Sequence, residues 1–387
     1  MPLVIAAGLA ATLSGIGVLE AGVGARLVAR FVRRKHDVGG TALAAVSVLR
    51  PLHGDEPLLE TALSSACQQD YPEWQVVFGV QSEADSALPV ARRVQARFPD
   101  CDIAVVVDAQ VHGTNRKVGN LINMLPAAKH GVLVIADSDV HVASDWLRQL
   151  VAALEAPGVG LATAVYTGMA ADPVPLTPSG KGSGGSFAVL GAAQINQYFL
   201  PGAVIARAMG RQDCLGASMM LRRETLDRIG GFEALVNHLA DDNVLGRLVQ
   251  RLGLKVALAD SVPATTVPET TLRGLWRHEL RWARTIRALE PTAFAASVLQ
   301  YPLAWAALGV LLAGGAPWSL DWFVLAWGLR AVAVRGVDKV LGLAKATPLW
   351  LLPLRELMSV GVMVASYAGR RVDWRGHTLQ AEGFHPR

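Results

Sequence analysis

The sequence predicts an α/β domain built on a mostly parallel sheet and held between membrane segments at both ends. Three observations predict it. Hydrophobic residues fill 52% of the 387 positions, more than a soluble domain normally carries, and the mean hydropathy is +0.33. The longest apolar runs lie at the two ends, whereas residues 41–290 hold most of the charge and no run long enough to span a bilayer. Within that middle stretch, short apolar runs alternate with segments of helical period. Such alternation gives a parallel sheet with right-handed crossovers.

Taken in order, residues 2 to about 24 are apolar apart from Glu20, and "RLVARFVRRK" follows directly. A cleaved secretory signal carries its positive charges before the apolar run, not after it. Residues 1–25 are therefore expected to be a retained transmembrane helix, N-terminus outside, with Arg26 to Lys35 on the cytosolic side. Glu20 reads as an interface residue rather than a buried functional acid. Strands are then expected at 42–50, 74–80, 102–108 and in "VLVIADSD" from Val132, with helices at 56–69, 87–98 and 116–129 between them. A Pro/Gly/Ser-rich loop, 172–186, is either a linker or a lid. Amphipathic helices are expected in "LADDNVLGRLVQRLG" (239–253) and "WRHELRWARTIR" (276–287).

Residues 291–370 contain three further apolar segments, 293–316, 318–334 and 348–368. Pro353, Arg355 and Glu356 interrupt the last, and such charges are costly in lipid unless they face protein or water. Were all three to cross, the basic tail at 371–387 would lie outside, against the positive-inside tendency. One of them is accordingly expected to be re-entrant or interfacial.

The net charge of +4 and pI near 9.1 are modest. No Lys/Arg blocks interleave with aromatics, so nucleic acid is a poor partner, and the basic residues flank apolar segments instead. Cys67, Cys101 and Cys214 are far apart and offer neither a metal-ligand spacing nor a disulfide framework, in keeping with a reduced cytosolic setting.

In sheets of this kind ligands bind outside the carboxyl ends of the strands. Asp137 and Asp139 flank Ser138 at the tip of the fourth strand. On extended chain such residues point to one side and could share a hard divalent cation with the phosphates of a substrate; the plainer alternative is a capped turn. Asp85 follows the second strand, as a ligand contact or a solvated loop acid. Asp241 and Asp242 precede a helix, where acids also serve as caps. His278 and Arg281 share a helix face beside Trp282, in a motif that also suits a basic interfacial helix.

Asp85, then D-S-D at 137–139, D-D at 241–242 and H-x-x-R-W at 278–282 together resemble the spaced signature of membrane-embedded glycosyltransferases of the GT-A type. "VGVQSEADSA", "NRKVGNLIN", "DSDVHV", "GGF" and "LADDNVLG" look most like the ceramide glucosyltransferase family (family 21). The stretch from "GKGSGGSFAVLG" to "LDRIGGF" resembles its bacterial branch linked to hopanoid biosynthesis, with bacterial ceramide glycosyltransferases as close competitors. One departure stands out: the last motif usually begins with Gln or Arg, and here it begins with His278.

The resemblance implies a multi-pass protein of the bacterial inner membrane, with a Rossmann-like GT-A domain facing the cytoplasm. It implies an inverting transfer from a UDP-sugar to a membrane-lipid hydroxyl. The hopanoid branch implies N-acetylglucosamine and an acceptor such as bacteriohopanetetrol; the ceramide branch implies glucose. It also implies Mg²⁺ or Mn²⁺ on Asp137 and Asp139, Asp242 as catalytic base and Asp85 at the uridine. Lys117, His278, Arg281 and Trp282 would then lie near the donor, although Lys117 also suits a surface helix. Two other readings compete: a polysaccharide synthase, disfavoured by the few spanning segments, and a silent nucleotide-sugar-binding membrane protein.

Overall fold

The structure, a computed structural model, describes residues 2–34, 43–171, 184–343, 346–369, 371–374 and 377–380. The loop expected over 172–186 lies outside them as far as residue 183, as does the tail beyond 380. In chain order the helices and strands are α1 (Pro2–Val32), β1 (Val46–Pro51), α2 (Leu59–Ala66), β2 (Trp74–Val80), α3 (Ala87–Arg97), β3 (Asp102–Val107), α4 (Arg116–Met124), β4 (Val132–Ala136), β5 (Val140–His141), α5 (Trp146–Leu154), β6 (Val159–Thr163) and β7 (Thr167–Ala170). Then follow α6 (Gly184–Gln194), α7 (Leu200–Ala208), β8 (Ser218–Arg222), α8 (Arg223–Arg228), α9 (Asp241–Arg251), β9 (Lys255–Leu258), β10 (Ala264–Val267), α10 (Leu272–Leu289), α11 (Pro291–Ala296), α12 (Pro302–Leu312), α13 (Pro317–Val340), α14 (Leu352–Ser366), β11 (Arg371–Trp374) and β12 (His377–Gln380). They pack as two compact units. One comprises Arg34–Ala171 and Arg207–Pro268, the other Met1–Arg33, Asp172–Ala206 and Glu269–Arg387.

The first unit is the α/β domain. Its seven-stranded sheet has the order β3-β2-β1-β4-β8-β6-β9. Neighbours pair in parallel except around β8, which runs antiparallel to both β4 and β6. β1 and β4 are buried along their whole length, as expected of strands covered on both faces, which read as unbroken apolar runs rather than alternations. Leu59 and Leu63 of α2, Val90 and Val94 of α3, and Trp146 of α5 pack with Val48, Phe78 and Val134 in one core. The order 3-2-1-4 puts the reversal of strand order between β1 and β4, and the crevice at such a reversal is the usual ligand position.

One expectation needs correction. The fourth strand stops at Ala136, and Asp137 to Asp139 form a turn closed by Val140 N–H donating to Asp137 O at 3.2 Å. The two acids therefore share a turn rather than one side of an extended segment.

The second unit is helical. Among the described residues two helices are long and apolar enough to cross a membrane, Pro2–Val32 and Leu349–Ser366; a third candidate is the pair Pro291–Gln300 and Pro302–Leu312, bent by 69° at its break. Pro302 begins the second half of that pair, where a missing N–H does least harm. α1 lies tightly on the bend: a Cβ at Gly17 would come within 2.3 Å of Leu299 O. Apolar side chains face outward on several helices, among them Leu9 and Leu19, Val324 and Val332, and Leu357 and Val364. The charges that interrupt the last segment turn inward. Arg355 grips Glu279 of α10 through two hydrogen bonds of 2.7 and 2.6 Å. Glu356 accepts from Leu303 N, Ala304 N and Tyr198 Oη. Both side chains face protein, which removes most of their cost in lipid.

Candidate active site

The acidic turn at the end of β4 is braced from below by Arg50 of β1. Its guanidinium is fully buried and donates from one terminal nitrogen to Ser138 O at 3.1 Å and Val140 O at 2.9 Å. Burial lowers its pKa to about 10, while Asp139 and Asp137 act in the opposite sense. Ser138 Oγ donates to Glu56 at 2.7 Å, so the loop after β1 also holds the turn. Asp139 accepts from the Thr265 hydroxyl, and its carbonyl from Thr266 N at 3.1 Å. Its carboxyl is pushed up to about 6, first by burial and then by the Asp137 charge.

Lys117 knits this turn to the start of α9. Its ammonium lies 2.7 Å from Asp137 Oδ1 and 3.4 Å from Asp241 Oδ2. Burial alone would depress it, but Asp137 and Asp241 hold it well above the usual lysine range. The sequence places Lys117 there because Asn115 caps α4, accepting from Val118 N at 3.1 Å. The same amide donates to His238 O at 2.8 Å, just ahead of α9.

Asp241 and Asp242 open α9, where the helix dipole favours acids. Asp242 Oδ1 accepts from Asn243 N at 2.7 Å. The Asp242 carboxyl is raised to about 6, mainly by burial, then by Asp241, with Lys117 acting to lower it. Its other oxygen faces Gly216, where a Cβ would sit 2.9 Å away; a glycine is needed for this approach. Asp137, Asp139, Lys117, Asp241 and Asp242 thus form one charged cluster at the carboxyl edge of the sheet.

Asp85 lies on that edge but is committed to backbone. It accepts from Gly54 N at 2.8 Å and Ala87 N at 2.9 Å, and His53 Nδ1 is 3.2 Å from its second oxygen. That ties the turn after β1 to the start of α3. His278, Arg281 and Trp282 belong to the helical unit. His278 Nδ1 donates to Glu269, and its ring meets Trp282 edge-on at 4.6 Å between centroids. Burial would raise the Glu269 carboxyl, but the His278 hydrogen bond and charge hold it below the usual range. His278 therefore braces Trp282.

Sequence reasoning missed Arg50, Glu56, Asn115, Gly216 and Thr265. Two of them left a signal: Arg50 as the lone cation of β1, and Asn115 at the head of the run "NRKVGNLIN". Among the described residues no three His, Cys, Asp or Glu side chains converge to hold a metal ion. Two carboxylates do meet at the acidic turn, Asp139 buried and Asp137 with 37% of its side chain exposed. Their mutual repulsion and hard oxygens would suit a divalent cation.

The chain thus combines a switched α/β sheet, with an acidic cluster at its carboxyl edge, and apolar helices long enough to cross a membrane, and its solved neighbours give it the GT-A-type fold. A mannosyltransferase from Pyrobaculum calidifontis, solved with GDP-mannose and Mn²⁺, shares the fold at a TM-score of 0.51 and 19% identity, over 94% of this chain and 99% of that one. Ceramide glucosyltransferase 1 of Caenorhabditis elegans is 22% identical over 261 residues, 67% of this chain and 53% of that protein. The ceramide glucosyltransferase of Komagataella phaffii is 34% identical over 133 residues, 33% of this chain and 26% of its own length. The chain thus spans about half of the first relative and a quarter of the second. The model of glycosyl transferase family 21 matches residues 13–383, and the chain belongs to that family.

Proposed function

We propose that the protein transfers a sugar, with inversion, from a UDP-sugar to a hydroxyl of a membrane lipid. The observation that carries this is Asp242: a carboxyl raised to about 6 by burial and Asp241 is a competent base near neutral pH. In the proposed step the acceptor oxygen forms a bond to the anomeric carbon as the bond to the diphosphate oxygen breaks. UDP leaves with the electron pair, and the acceptor proton passes to Asp242. Asp137 and Asp139 would hold a Mg²⁺ or Mn²⁺, which supplies Lewis-acid stabilisation of the departing diphosphate. Lys117 bridges Asp137 and Asp241 and so holds the acidic turn against the start of α9. Arg281 contacts the diphosphate, Asp85 orients the uridine side of the donor, and Trp282, braced by His278, stacks on a sugar.

The acceptor is a hopanoid polyol such as bacteriohopanetetrol, with N-acetylglucosamine as the sugar, on the resemblance of the central stretch. The two relatives named as ceramide glucosyltransferases favour a second reading, glucose to ceramide. The catalytic domain faces the cytoplasm of a bacterial inner membrane, supported by Arg26, Arg30, Arg33 and Arg34 at the end of α1. The test is a transfer assay on the purified protein with UDP-N-acetylglucosamine, UDP-glucose and UDP-galactose against bacteriohopanetetrol and ceramide. A glycolipid that disappears with Asp242→Asn is expected. No product from any pairing, with UDP still bound, would refute the transferase reading.

A further inference from the structure

α14 is tied to α10 near both of its ends. At its start, Arg355 holds Glu279 through hydrogen bonds of 2.7 and 2.6 Å. Just past its end, Arg287 donates to Gly369 O at 2.8 Å and lies over the Tyr367 ring, 5.0 Å from its centroid, while Arg284 donates to Arg371 O. Between these anchors Trp276 covers Gly361, where a Cβ would come within 3.2 Å of the indole. Leu280 and Ala283 pack in one cluster with Val360, Val362 and Met363. The two helices therefore lie side by side along α14.

The composition of α10 keeps it out of hydrocarbon. It carries five arginines, and Arg273, Arg277, Arg281 and Arg284, at i, i+4, i+8 and i+11, share one face, away from the buried Leu275, Glu279 and Ala283. Arg273 and Arg277 are exposed. A face of arginines is costly inside a bilayer and belongs among headgroups, where anionic lipid attracts it. From Glu279 to Arg287 α10 rises only about 12 Å. A helix that crosses must reach two headgroup layers separated by a hydrocarbon core roughly 30 Å thick. Anchors so close together on one interfacial helix cannot hold its two ends.

The outward side of α14 fits a different placement. Trp350, Leu354, Leu357 and Val364 are each more than half exposed, and their spacing of i, i+4, i+7 and i+14 makes one narrow apolar stripe. On the reverse side Arg355, Glu356, Ser359 and Ser366 are buried in protein. An apolar stripe backed by polar groups suits a helix lying on a bilayer, with the stripe alone in lipid. The preceding helices agree with this. α12 and α13 pack as a hairpin turned at Gly314 and Gly315, at φ 61° and 75°. Whether that hairpin crosses or dips, it returns the chain to the side on which α10 lies.

We propose that α14 is an in-plane helix, whose apolar stripe docks on the hydrocarbon edge of one leaflet beside α10 and which does not cross the membrane. β11 and β12 then stay on the side of α10, as the positive-inside tendency asks. The placement is independent of the sugar and the acceptor.

The experiment puts a nitroxide-bearing unnatural residue at Trp350, Leu357 or Val364, one at a time, in the full chain in nanodiscs of phosphatidylcholine and phosphatidylglycerol. Depth is read by EPR power saturation. The three positions, seven residues apart on one stripe, are expected at one common depth, about 5–10 Å below the headgroup boundary. A crossing helix instead puts Leu357 deeper than both of the others by about 10 Å, seven residues of rise. That result, or three labels in water, would overturn the proposal. In sealed vesicles, protease should remove an epitope tag fused after Arg387 from the same face on which it digests the α/β domain. Removal from the opposite face would overturn it equally.

Discussion

Lys117→Met removes one charge from the acidic cluster and keeps most of the side-chain volume. At an effective dielectric of ~20, an ammonium 2.7 and 3.4 Å from two carboxylates attracts them by roughly 6 and 5 kcal/mol before desolvation is subtracted. Measured losses on removing one partner of a buried pair are smaller, about 3–5 kcal/mol. Protonation sets a ceiling for each acid, because an uncompensated carboxylate can always be neutralised. That ceiling is about 1.4 kcal/mol per pH unit above ~3.9, or roughly 4 kcal/mol at pH 7 and 1.5 at pH 5. The lysine itself has a raised pKa, so its contribution is complete below the unfolded lysine value and constant from pH 5 to 8. For the two acids together the ceilings are about 8 kcal/mol at pH 7 and 3 at pH 5, so the loss on substitution should be about 3–5 kcal/mol at pH 7, where the buried-pair range limits it, and at most about 3 at pH 5. In a thermal melt of the nanodisc-embedded protein in EDTA, that is a midpoint lower by about 10 °C at pH 7 and by less at pH 5. Added Mn²⁺ should raise the variant's midpoint more than the wild type's, since a cation on Asp137 and Asp139 replaces the missing charge. A loss that is the same at both pH values, or that metal does not reduce, would refute this account of the cluster.

Three further outcomes follow from the same structure. With Asp242 as base and its carboxyl near 6, kcat/KM should climb through pH 6 and level off above 7; a profile flat from pH 5 to 8 would exclude it. A carboxyl raised on folding stabilises below its unfolded value and loses that contribution as pH rises through about 6. Asp242→Asn should thus be inactive yet more stable than wild type at pH 7, by at most ~3 kcal/mol. In the helical unit, Glu279→Gln or Arg355→Met alone should cost about 3–5 kcal/mol, while Glu279→Leu with Arg355→Met recovers much of it. A double-mutant cycle on thermal midpoints checks this, and purely additive losses would argue against a direct pair.

Four of the seven strands were legible, β1, β2 and β4 because they are buried and short: the run read as 74–80 is β2 residue for residue, and the helix read over 87–98 ends one residue earlier, whereas β6, β8 and β9 were not read. The acidic turn was legible in position and not in shape, since the i→i+3 closure from Val140 depends on backbone angles that apolar pattern does not encode. Lys117 could not be told from a surface lysine, because both its partners lie beyond its own helix, at 137 and 241. Asp242 stands beside an acidic neighbour in the sequence, but burial is the larger cause of its elevation. Burial there follows from the close approach of Gly216, twenty-six residues upstream. Local pattern reports which face of an element is apolar; it does not report what a distant segment lays over that face.

The same principle explains the charges that look out of place in the last apolar segment. Arg355 and Glu356 are adjacent in sequence, yet on α14 they serve different partners. Glu356 satisfies the free N–H groups of Leu303 and Ala304 at the start of α12, where Pro302 has ended one helix and begun another. Arg355 reaches Glu279, which stands between His278 and Arg281 on α10. A bend within apolar surroundings leaves amide groups that only a buried acceptor can satisfy, so Glu356 is what permits the 69° break. A helix as basic as α10 would otherwise lie loosely on a membrane surface, so its two-point grip on Arg355 holds it in register with α14. His278, Arg281 and Trp282 thereby stand on a helix fixed to an apolar one, and the rotation of α10 about its axis is set by a buried ion pair rather than by lipid.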